Sequence, residues 1–316
     1  MKSSRKYLNF CLVFLLFLTA GTLLHACQLS DESDEQISTQ TIEETFIKRP
    51  DSTKIILPTI HLSPTPTPIA TEISPTPTPT EIPCLETTGN ISEVAFYSDI
   101  LGEDIKANVY LPPCYDTHQK DGYPLLVMLH GQNGAHDQWI NLGMTTLADE
   151  WITKERIEPL VIVMPFERLY LSNSYNSKYD LAIVEDLLPQ LLEQYKLRQG
   201  WEYRAIGGIS RGGNWAVRIG FTYPDAFGRV GAHSFTTFAG DMNRVQEWKQ
   251  SFSAYQPALW FDIGDVDQYR KYSEPFVLDL QKNQYPLKYT VNSGGHTVEY
   301  WMTHLPEYLT WYTQNW

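Results

Sequence analysis

The sequence predicts an α/β domain in which a mostly parallel sheet carries helices on both faces. Between residues 92 and 316, short apolar segments alternate with segments whose apolar residues recur at helical spacing. The apolar segments are suited to strands buried on both faces, as in parallel sheets. A Gly-x-Ser-x-Gly pattern stands where one of these strands meets a helical segment, which is the strand–turn–helix order of an exposed nucleophile.

The strands and helices follow each other in a regular order. The first two strands read as an antiparallel pair, and the later ones as buried strands separated by helices. The predicted strands are 92–98, 104–112, 124–130, 160–165, 204–210, 229–234, 258–264 and 287–292. The predicted helices are 144–155, 178–197, 211–223, 268–283 and 297–313. We therefore expect one α/β domain over residues 84–316.

Residues 1–27 have the pattern of an export signal. Lys2, Arg5 and Lys6 precede the apolar stretch FCLVFLLFLTAGTLLHA. The stretch ends in LLHAC, which resembles a bacterial lipobox, so Cys27 is predicted to carry a lipid and become the new N-terminus. The alternatives are an ordinary cleaved signal and an uncleaved anchor.

Residues 28–83 have the composition of a tether. They begin acidic and polar and end in SPTPTPIATEISPTPTPTEIP. The prolines of this repeat remove backbone donors, which favours polyproline II over a helix or a sheet. We expect this segment to hold the domain away from a membrane or cell wall.

Two of the cysteines are predicted to pair with each other. Cys11 would leave with the signal and Cys27 would be lipidated, so Cys84 and Cys114 remain in an oxidising compartment. A disulfide between them would stabilise the fold by roughly 3–4 kcal/mol on the chain-entropy model. The alternative is a pair of free buried thiols.

The net charge of the chain is −13, which argues against a nucleic-acid partner. Phosphate backbones are bound by clustered lysine and arginine side chains, and the sequence shows no basic stripe. The predicted partner is a small-molecule or glycan-linked substrate, with the membrane contacted through the N-terminal lipid alone.

Ser210 is the candidate nucleophile. It ends the strand RAIGGIS and precedes the helix RGGNWAVRIGF, so a sharp turn would lift its hydroxyl clear of the backbone. Gly208 and Gly212 are predicted to be required because a Cβ at either position would collide across the turn. The alternative is a glycine-rich helix start without chemistry.

His296 is the candidate general base. It lies in NSGGHTVEYW, on a loop after the last strand, and it follows the nucleophile in chain order as the base of a Ser–Asp–His hydrolase does. The other histidines lie outside the fold, in polar loops, or where packing explains them. A helix-terminal histidine without a catalytic role is the alternative.

The candidate acid lies in FDIGDVDQY, after the strand 258–264. Asp262 is inside that strand, whereas Asp265 and Asp267 follow its glycine at the edge of the sheet. A carboxylate that orients an imidazole needs a loop position above the sheet. From the residues alone, either Asp265 or Asp267 could be the acid.

The oxyanion hole is predicted from two backbone amides. Gly131 ends the strand in VMLHGQNGAHDQW and lets the chain turn, so the amide of Gln132 can face the reacting carbonyl. The amide of Arg211, directly after the nucleophile, is the second donor. The segment HGQNGAH lacks the ligand spacing of metallo-hydrolases, so neither a metal nor another cofactor is expected.

Residues 93–316 resemble the putative-esterase family of α/β-hydrolases, which includes feruloyl esterases, S-formylglutathione hydrolases, enterochelin-type esterases and mycolyltransferases. The matching segments are VYLPPCY, LLVMLHG, RAIGGISRGGNWAVRIGFTYPDAFGRVGAHS, DIGDVD and GGHTVEYWMTHLPEYLTWY, in the order of the family. The Gly-x-x-Asp pattern of the family falls on Gly264 and Asp267, so the resemblance implies Asp267 as the acid. The Gly-Gly-His-x-x-x-x-Trp pattern of the family falls on Gly294, Gly295, His296 and Trp301. Cys114 stands where many relatives have glycine.

This resemblance implies a serine carboxylesterase that cleaves acyl or aryl esters through an acyl-enzyme on Ser210, and the export signal predicts that it acts outside the cytoplasm. Acyl transfer to a sugar or lipid would use the same residues. A non-catalytic module that binds glycan or polymer through its aromatic side chains is an alternative from another class. A peptidase is a third possibility, since the same triad serves amides.

Lipidation of Cys27 can be tested by detergent partitioning. In a bacterium that processes lipoproteins, the wild-type protein should enter the detergent phase, and Cys27→Ala should move it to the aqueous phase because the acyl chains are lost. Cys11→Ala is the matched control, because that residue leaves with the signal. Unchanged partitioning and mass in Cys27→Ala would contradict a lipid at this position.

Overall fold

An eight-stranded sheet forms the centre of the computed structural model, with the strand order β1-β2-β4-β3-β5-β6-β7-β8. The β1–β2 and β2–β4 pairs are antiparallel, and all later pairs are parallel. The strands are β1 (Asn90–Ser98), β2 (Glu103–Leu111), β3 (Leu125–Leu129), β4 (Val161–Pro165), β5 (Arg204–Ile209), β6 (Arg229–His233), β7 (Ala258–Gly264) and β8 (Leu287–Asn292). The predicted mostly parallel sheet is confirmed.

The structure describes residues 85–116, 121–168, 174 and 176–316. The predicted signal (residues 1–27) and tether (28–83) lie outside the described residues, and so do Cys27 and Cys84. The export signal, the lipid, the tether and the Cys84–Cys114 disulfide therefore stay predictions.

The described helices cover both faces of the sheet. They are α1 (Gln138–Asn141), α2 (Met144–Thr153), α3 (Tyr179–Ala182), α4 (Leu188–Gln194), α5 (Arg211–Thr222), α6 (Val245–Tyr255), α7 (Arg270–Lys282) and α8 (Val298–Tyr312). A π-helical turn, Ile183–Leu187, joins α3 to α4, so the single helix predicted over 178–197 is interrupted. Among the residues that the structure describes, no helix combines the length and apolarity needed to span a bilayer.

Helix α6 is absent from the sequence prediction. Its buried residues, Val245, Trp248 and Phe252, recur at helical spacing, but charged and polar residues occupy most of the remaining positions. The helix is stabilised by tertiary packing of this narrow apolar face, which local pattern alone represents weakly.

The central strands β3 to β7 are buried on both faces, as their uninterrupted apolar segments indicated. In β3, Leu125, Val127 and Leu129 belong to one buried cluster, and Leu126 and Met128 belong to another. Because successive side chains of a strand point to opposite faces, the two clusters lie on opposite sides of the sheet. The central strands are thus fixed by packing from both directions.

The topology brings three loops to one edge of the sheet. Strands β5, β7 and β8 run parallel, so their carboxyl ends meet at the same edge. Ser210 follows β5, Asp267 follows β7 and His296 follows β8. Ligand and catalytic sites of open α/β sheets lie at this edge.

Two glycines of the sheet accept the side chain of Tyr312 from α8. A Cβ on Gly207 would lie 1.7 Å from the Tyr312 Oη, and one on Gly231 would lie 2.0 Å from the same atom. Strands β5 and β6 therefore carry glycines at paired positions because α8 packs directly on their backbone.

Gly207→Ala should lower the free energy of unfolding by roughly 2–5 kcal/mol, because it overpacks the interface and displaces a buried hydroxyl from its partner. Urea unfolding followed by circular dichroism measures this loss. Gly102→Ala is the control, since a Cβ there meets no atom within 4 Å. Its positive φ should cost about 1 kcal/mol. Equal losses in the two variants would contradict the tight contact with Tyr312.

Candidate active site

The turn at Ser210 has a strained backbone. Ser210 has φ 54° and ψ −119°, a conformation that residues with a side chain rarely adopt. A Cβ on Gly208 would lie 2.4 Å from the Gly212 carbonyl carbon, and one on Gly212 would lie 2.3 Å from the Leu129 carbonyl oxygen. The two glycines are thus required by close backbone approach, as the sequence predicted.

His296 lies between Ser210 and Asp267. Its Nδ1 is 2.9 Å from Asp267 Oδ2, and its Nε2 is 3.0 Å from Ser210 Oγ. A carboxylate only accepts hydrogen bonds, so Nδ1–H donates to Asp267 and Nε2 is left to accept the proton of the Ser210 hydroxyl. The structure thereby brings the three predicted triad residues into one hydrogen-bonded line.

The Asp267 carboxylate is fixed and shielded from solvent. Its side chain is fully buried, whereas the His296 side chain is 16% exposed. The second oxygen, Oδ1, accepts a hydrogen bond of 2.8 Å from the Tyr269 amide. The rings of Tyr269 and Trp301 pack edge-on against the imidazole, at centroid distances of 4.6 and 5.1 Å. The imidazole is therefore held by two aromatic rings as well as through Nδ1.

Asp265, the other loop candidate for the acid, contacts the backbone of the histidine loop. Its Oδ1 accepts a hydrogen bond of 2.9 Å from the Gly294 amide. A Cβ on Gly264 would lie 2.1 Å from the Gly294 carbonyl oxygen, so the two loops pass at backbone contact. Asp265 orients the loop that carries His296, and Asp267 contacts the imidazole.

The two predicted oxyanion amides flank the serine. Gly131 lies beside the nucleophile, since a Cβ on it would be 3.5 Å from Ser210 Cβ, and Gln132 follows it. Arg211 is the first residue of α5, where amides have no partner within the helix. Over the described residues, neither the Gln132 nor the Arg211 amide donates a hydrogen bond. The positive end of the helix dipole also lies at this position.

A family model for putative esterases matches residues 98–312, a range that contains all three residues of this hydrogen-bonded line. The chain belongs to the putative esterase family. The resemblance inferred from the sequence motifs is thereby confirmed.

Individual members of the putative esterase family show how far the likeness extends. An endo-1,4-beta-xylanase/feruloyl esterase of Xylanibacter ruminicola is 28% identical over 163 residues, which cover 48% of this chain and 22% of that protein. The chain thus spans about a fifth of the length of this curated relative.

Two solved structures show the same fold. A ferulic acid esterase superposes with a TM-score of 0.63 at 22% identity, covering 72% of this chain and 98% of the other. An S-formylglutathione hydrolase of Staphylococcus aureus superposes with a TM-score of 0.59 at 17% identity, covering 72% and 99%. These likenesses support the α/β-hydrolase fold predicted for the chain.

Sequence reasoning missed the partner of the Arg211 side chain. Glu167 is 2% exposed and accepts two hydrogen bonds from the guanidinium, of 2.8 Å from Nε and 2.6 Å from Nη2. Glu167 follows β4 at the same edge of the sheet as Ser210. The available indication of a role for Glu167 was its place just after a buried strand, but nothing in the sequence pairs it with Arg211.

A second His–Asp pair lies beneath the first and is closed to solvent. His233 Nδ1 is 2.5 Å from Asp262 Oδ1, and both side chains are fully buried. The other oxygen of Asp262 accepts hydrogen bonds from the hydroxyls of Tyr300 (2.7 Å) and Tyr308 (3.1 Å). His233 Nε2 is 2.8 Å from the Tyr312 hydroxyl. Asp262 therefore joins the sheet to α8 and does not reach His296.

The part of the chain described by the structure contains no cluster of three histidine, cysteine or acidic side chains that could hold a metal ion. The buried acidic groups near the site are engaged by arginine, tyrosine or histidine side chains.

Asp262→Asn should lower the free energy of unfolding by roughly 2–4 kcal/mol, because it replaces the acceptor of three buried hydrogen bonds. Its folded fraction should keep a kcat close to that of the wild type, since Asp262 does not contact His296. Chemical denaturation and steady-state ester hydrolysis measure the two effects. A stable Asp262→Asn protein that has lost its activity would contradict this separation of roles.

Proposed function

We propose that the domain is a serine carboxylesterase. The observation that carries the proposal is the hydrogen-bonded line from Asp267 through His296 to Ser210. The line ends at a strained turn, beside two backbone amides that donate to no group among the described residues. This arrangement fits an activated serine and an anion-stabilising pair around one reacting carbonyl.

In acylation, Ser210 Oγ attacks the carbonyl carbon of the ester while its proton moves to His296 Nε2. The carbonyl oxygen becomes an oxyanion, which the amides of Gln132 and Arg211 stabilise. The imidazolium then donates the same proton to the leaving alkoxide as the C–O bond breaks. Asp267 stabilises the imidazolium and keeps its tautomer and orientation fixed.

In deacylation, water takes the place of the departed alcohol. His296 Nε2 accepts a proton from this water as its oxygen attacks the acyl carbon. Collapse of the second tetrahedral intermediate breaks the bond to Ser210 Oγ, which recovers the proton. The His296 side chain is 16% exposed, and this opening gives water access to the acyl-enzyme. An alcohol that reached the acyl carbon in place of water would give acyl transfer.

The proposed substrate carries an acyl or aryl group on a small molecule or glycan. Apolar side chains stand exposed close to the histidine loop, where Val266 is 76% exposed, Val298 is 48% exposed and Met302 is 49% exposed. Such side chains favour contact with a hydrophobic part of a substrate. The name of the Xylanibacter ruminicola relative includes a feruloyl esterase, and a feruloyl group is an aryl example of this class.

The proposed place of action is outside the cytoplasm, either on a membrane through a lipid on Cys27 or free after secretion. Support comes from the basic and apolar N-terminal sequence and the Pro-Thr segment. No nucleic-acid partner and no cofactor form part of the proposal.

A fluorophosphonate should label the wild-type protein on Ser210, because a serine paired with a base attacks phosphorus rapidly. Ser210→Ala and His296→Ala should each lower kcat by roughly 10⁴- to 10⁶-fold, and the double variant should lose little more, because triad members act as a unit. Asp267→Asn should cost on the order of 10⁴-fold. Hydrolysis of p-nitrophenyl esters of varied chain length and of methyl ferulate provides the measurement.

Asp265→Asn is the matched control for Asp267→Asn. An asparagine at 265 still offers an oxygen to the Gly294 amide, so the loss of kcat should stay below about tenfold. If Asp265→Asn is the damaging change in a folded protein, the assignment of Asp267 as the acid is wrong, although the proposal of an esterase remains. An unlabelled Ser210 together with no turnover of any ester would refute the esterase and leave the non-catalytic binding module.

A further inference from the structure

The peptide group between Gly131 and Gln132 is held through its carbonyl oxygen. His130 Nδ1 lies 2.7 Å from the Gly131 oxygen. That carbonyl and the Gln132 N–H belong to one planar trans peptide, in which they point in opposite directions. A group that fixes the direction of the oxygen therefore also fixes the direction of the Gln132 amide.

The hydrogen bonds of His130 define its tautomer. The Glu167 amide donates a hydrogen bond of 2.9 Å to His130 Nε2, so Nε2 carries no proton. The one proton of the neutral ring is then on Nδ1, where it is donated to the Gly131 oxygen. His130 is 3% exposed, and this burial lowers its pKa. The ring also stacks on Phe166 with a centroid distance of 5.4 Å.

The neighbouring contacts hold the same loop from two further directions. The Gly131 amide donates a hydrogen bond of 2.7 Å to Gln138 Oε1, so the loop is fixed on the other side of Gly131. Glu167, whose amide bonds to His130, also binds the Arg211 guanidinium through its carboxylate. The residue that supplies the second oxyanion amide is thus linked to His130 through Glu167.

We propose that His130 is a positioning residue of the oxyanion hole. Its Nδ1–H fixes the Gly131–Gln132 peptide so that the Gln132 amide points at the developing oxyanion. Its Nε2 accepts a hydrogen bond from the Glu167 amide, and this contact keeps the imidazole ring, and with it the Nδ1–H, oriented. This inference rests on the proposed esterase function. His130 itself contacts no reacting atom, and its effect is expressed in the transition state, where the oxyanion exists.

Two substitutions of His130 separate its two nitrogens. The amide nitrogen of asparagine can take the place of Nδ1, so His130→Asn keeps the donor to Gly131 and should lower kcat less than about fivefold. The amide oxygen of glutamine can take the place of Nε2, so His130→Gln keeps the acceptor for Glu167 and loses the donor to Gly131. Complete loss of an oxyanion donor lowers kcat by about 10²- to 10³-fold. In His130→Gln the Gln132 amide is still present but misdirected, so kcat should fall by roughly 10- to 100-fold.

The KM values should stay within about twofold of the wild type, because the ground-state ester gains little from the oxyanion amides. The inhibition constant of a boronic acid, whose tetrahedral adduct places an oxygen in the hole, should rise in His130→Gln by the same factor by which kcat/KM falls. Thermal unfolding and the final extent of fluorophosphonate labelling give the folded, competent fraction. His304→Asn on α8 is the control for a histidine substitution away from the loop.

Wild-type kcat and inhibitor affinity in a folded His130→Gln protein would overturn the proposal, and so would equal losses in the asparagine and glutamine variants. If neither variant folds, two-bond ¹H–¹⁵N spectra of the ¹⁵N-histidine-labelled wild type decide the question. His130 should appear as the neutral Nδ1–H tautomer, and the Nε2–H tautomer would overturn the proposal. Absence of ester turnover in the wild type would instead refute the esterase function. The tautomer measurement does not require ester turnover, so the two failures can be distinguished.

Discussion

The backbone conformation of Ser210 is the constraint on which the rest of the site depends. A positive φ at a residue with a Cβ persists only where the surroundings force it. Here the surroundings are the end of a central strand, the start of α5 and the neighbouring strand β3, at distances that leave no room for a Cβ on Gly208 or Gly212. The Ser210 amide also donates a hydrogen bond of 2.8 Å to the His233 carbonyl oxygen. The reactive oxygen is therefore placed by the sheet and by the start of α5.

The remaining groups of the site are held by support from two separate layers. At the carboxyl edge of the sheet, Asp265 and Asp267 fix the backbone and ring of the histidine loop, and Glu167 fixes Arg211. In the core, on the face of the sheet that α8 covers, Asp262 ties α8 to β6 and β7 through hydrogen bonds to His233 and tyrosine hydroxyls. Asp267 and Asp262 thus serve different purposes, because Asp267 contacts His296 at the site and Asp262 joins α8 to the sheet in the core.

Much of the site could be predicted from the sequence, and the reason differs between residues. Ser210, Gly208 and Gly212 are close in the chain, so a local pattern contains their whole relation. His296 is distant in sequence, but strand order and a flanking Gly-Gly place it at the right edge. The choice between Asp265 and Asp267 needed the family resemblance, since both lie on one short loop after β7. Geometry distinguishes them because only Asp267 reaches the imidazole.

The sequence by itself determined the fold class, all eight strands, the order of the triad candidates and the glycines of the turn, because apolar segments and turn residues are local properties. Only the tertiary structure decided which polar groups form hydrogen bonds with groups far away in the chain. The Glu167–Arg211 ion pair, the hydrogen bond from the Glu167 amide to His130 and the buried contact of Asp262 with α8 join residues that are far apart in the chain. Such polar contacts follow from the distances that folding imposes, and a polar residue in the sequence does not specify its partner.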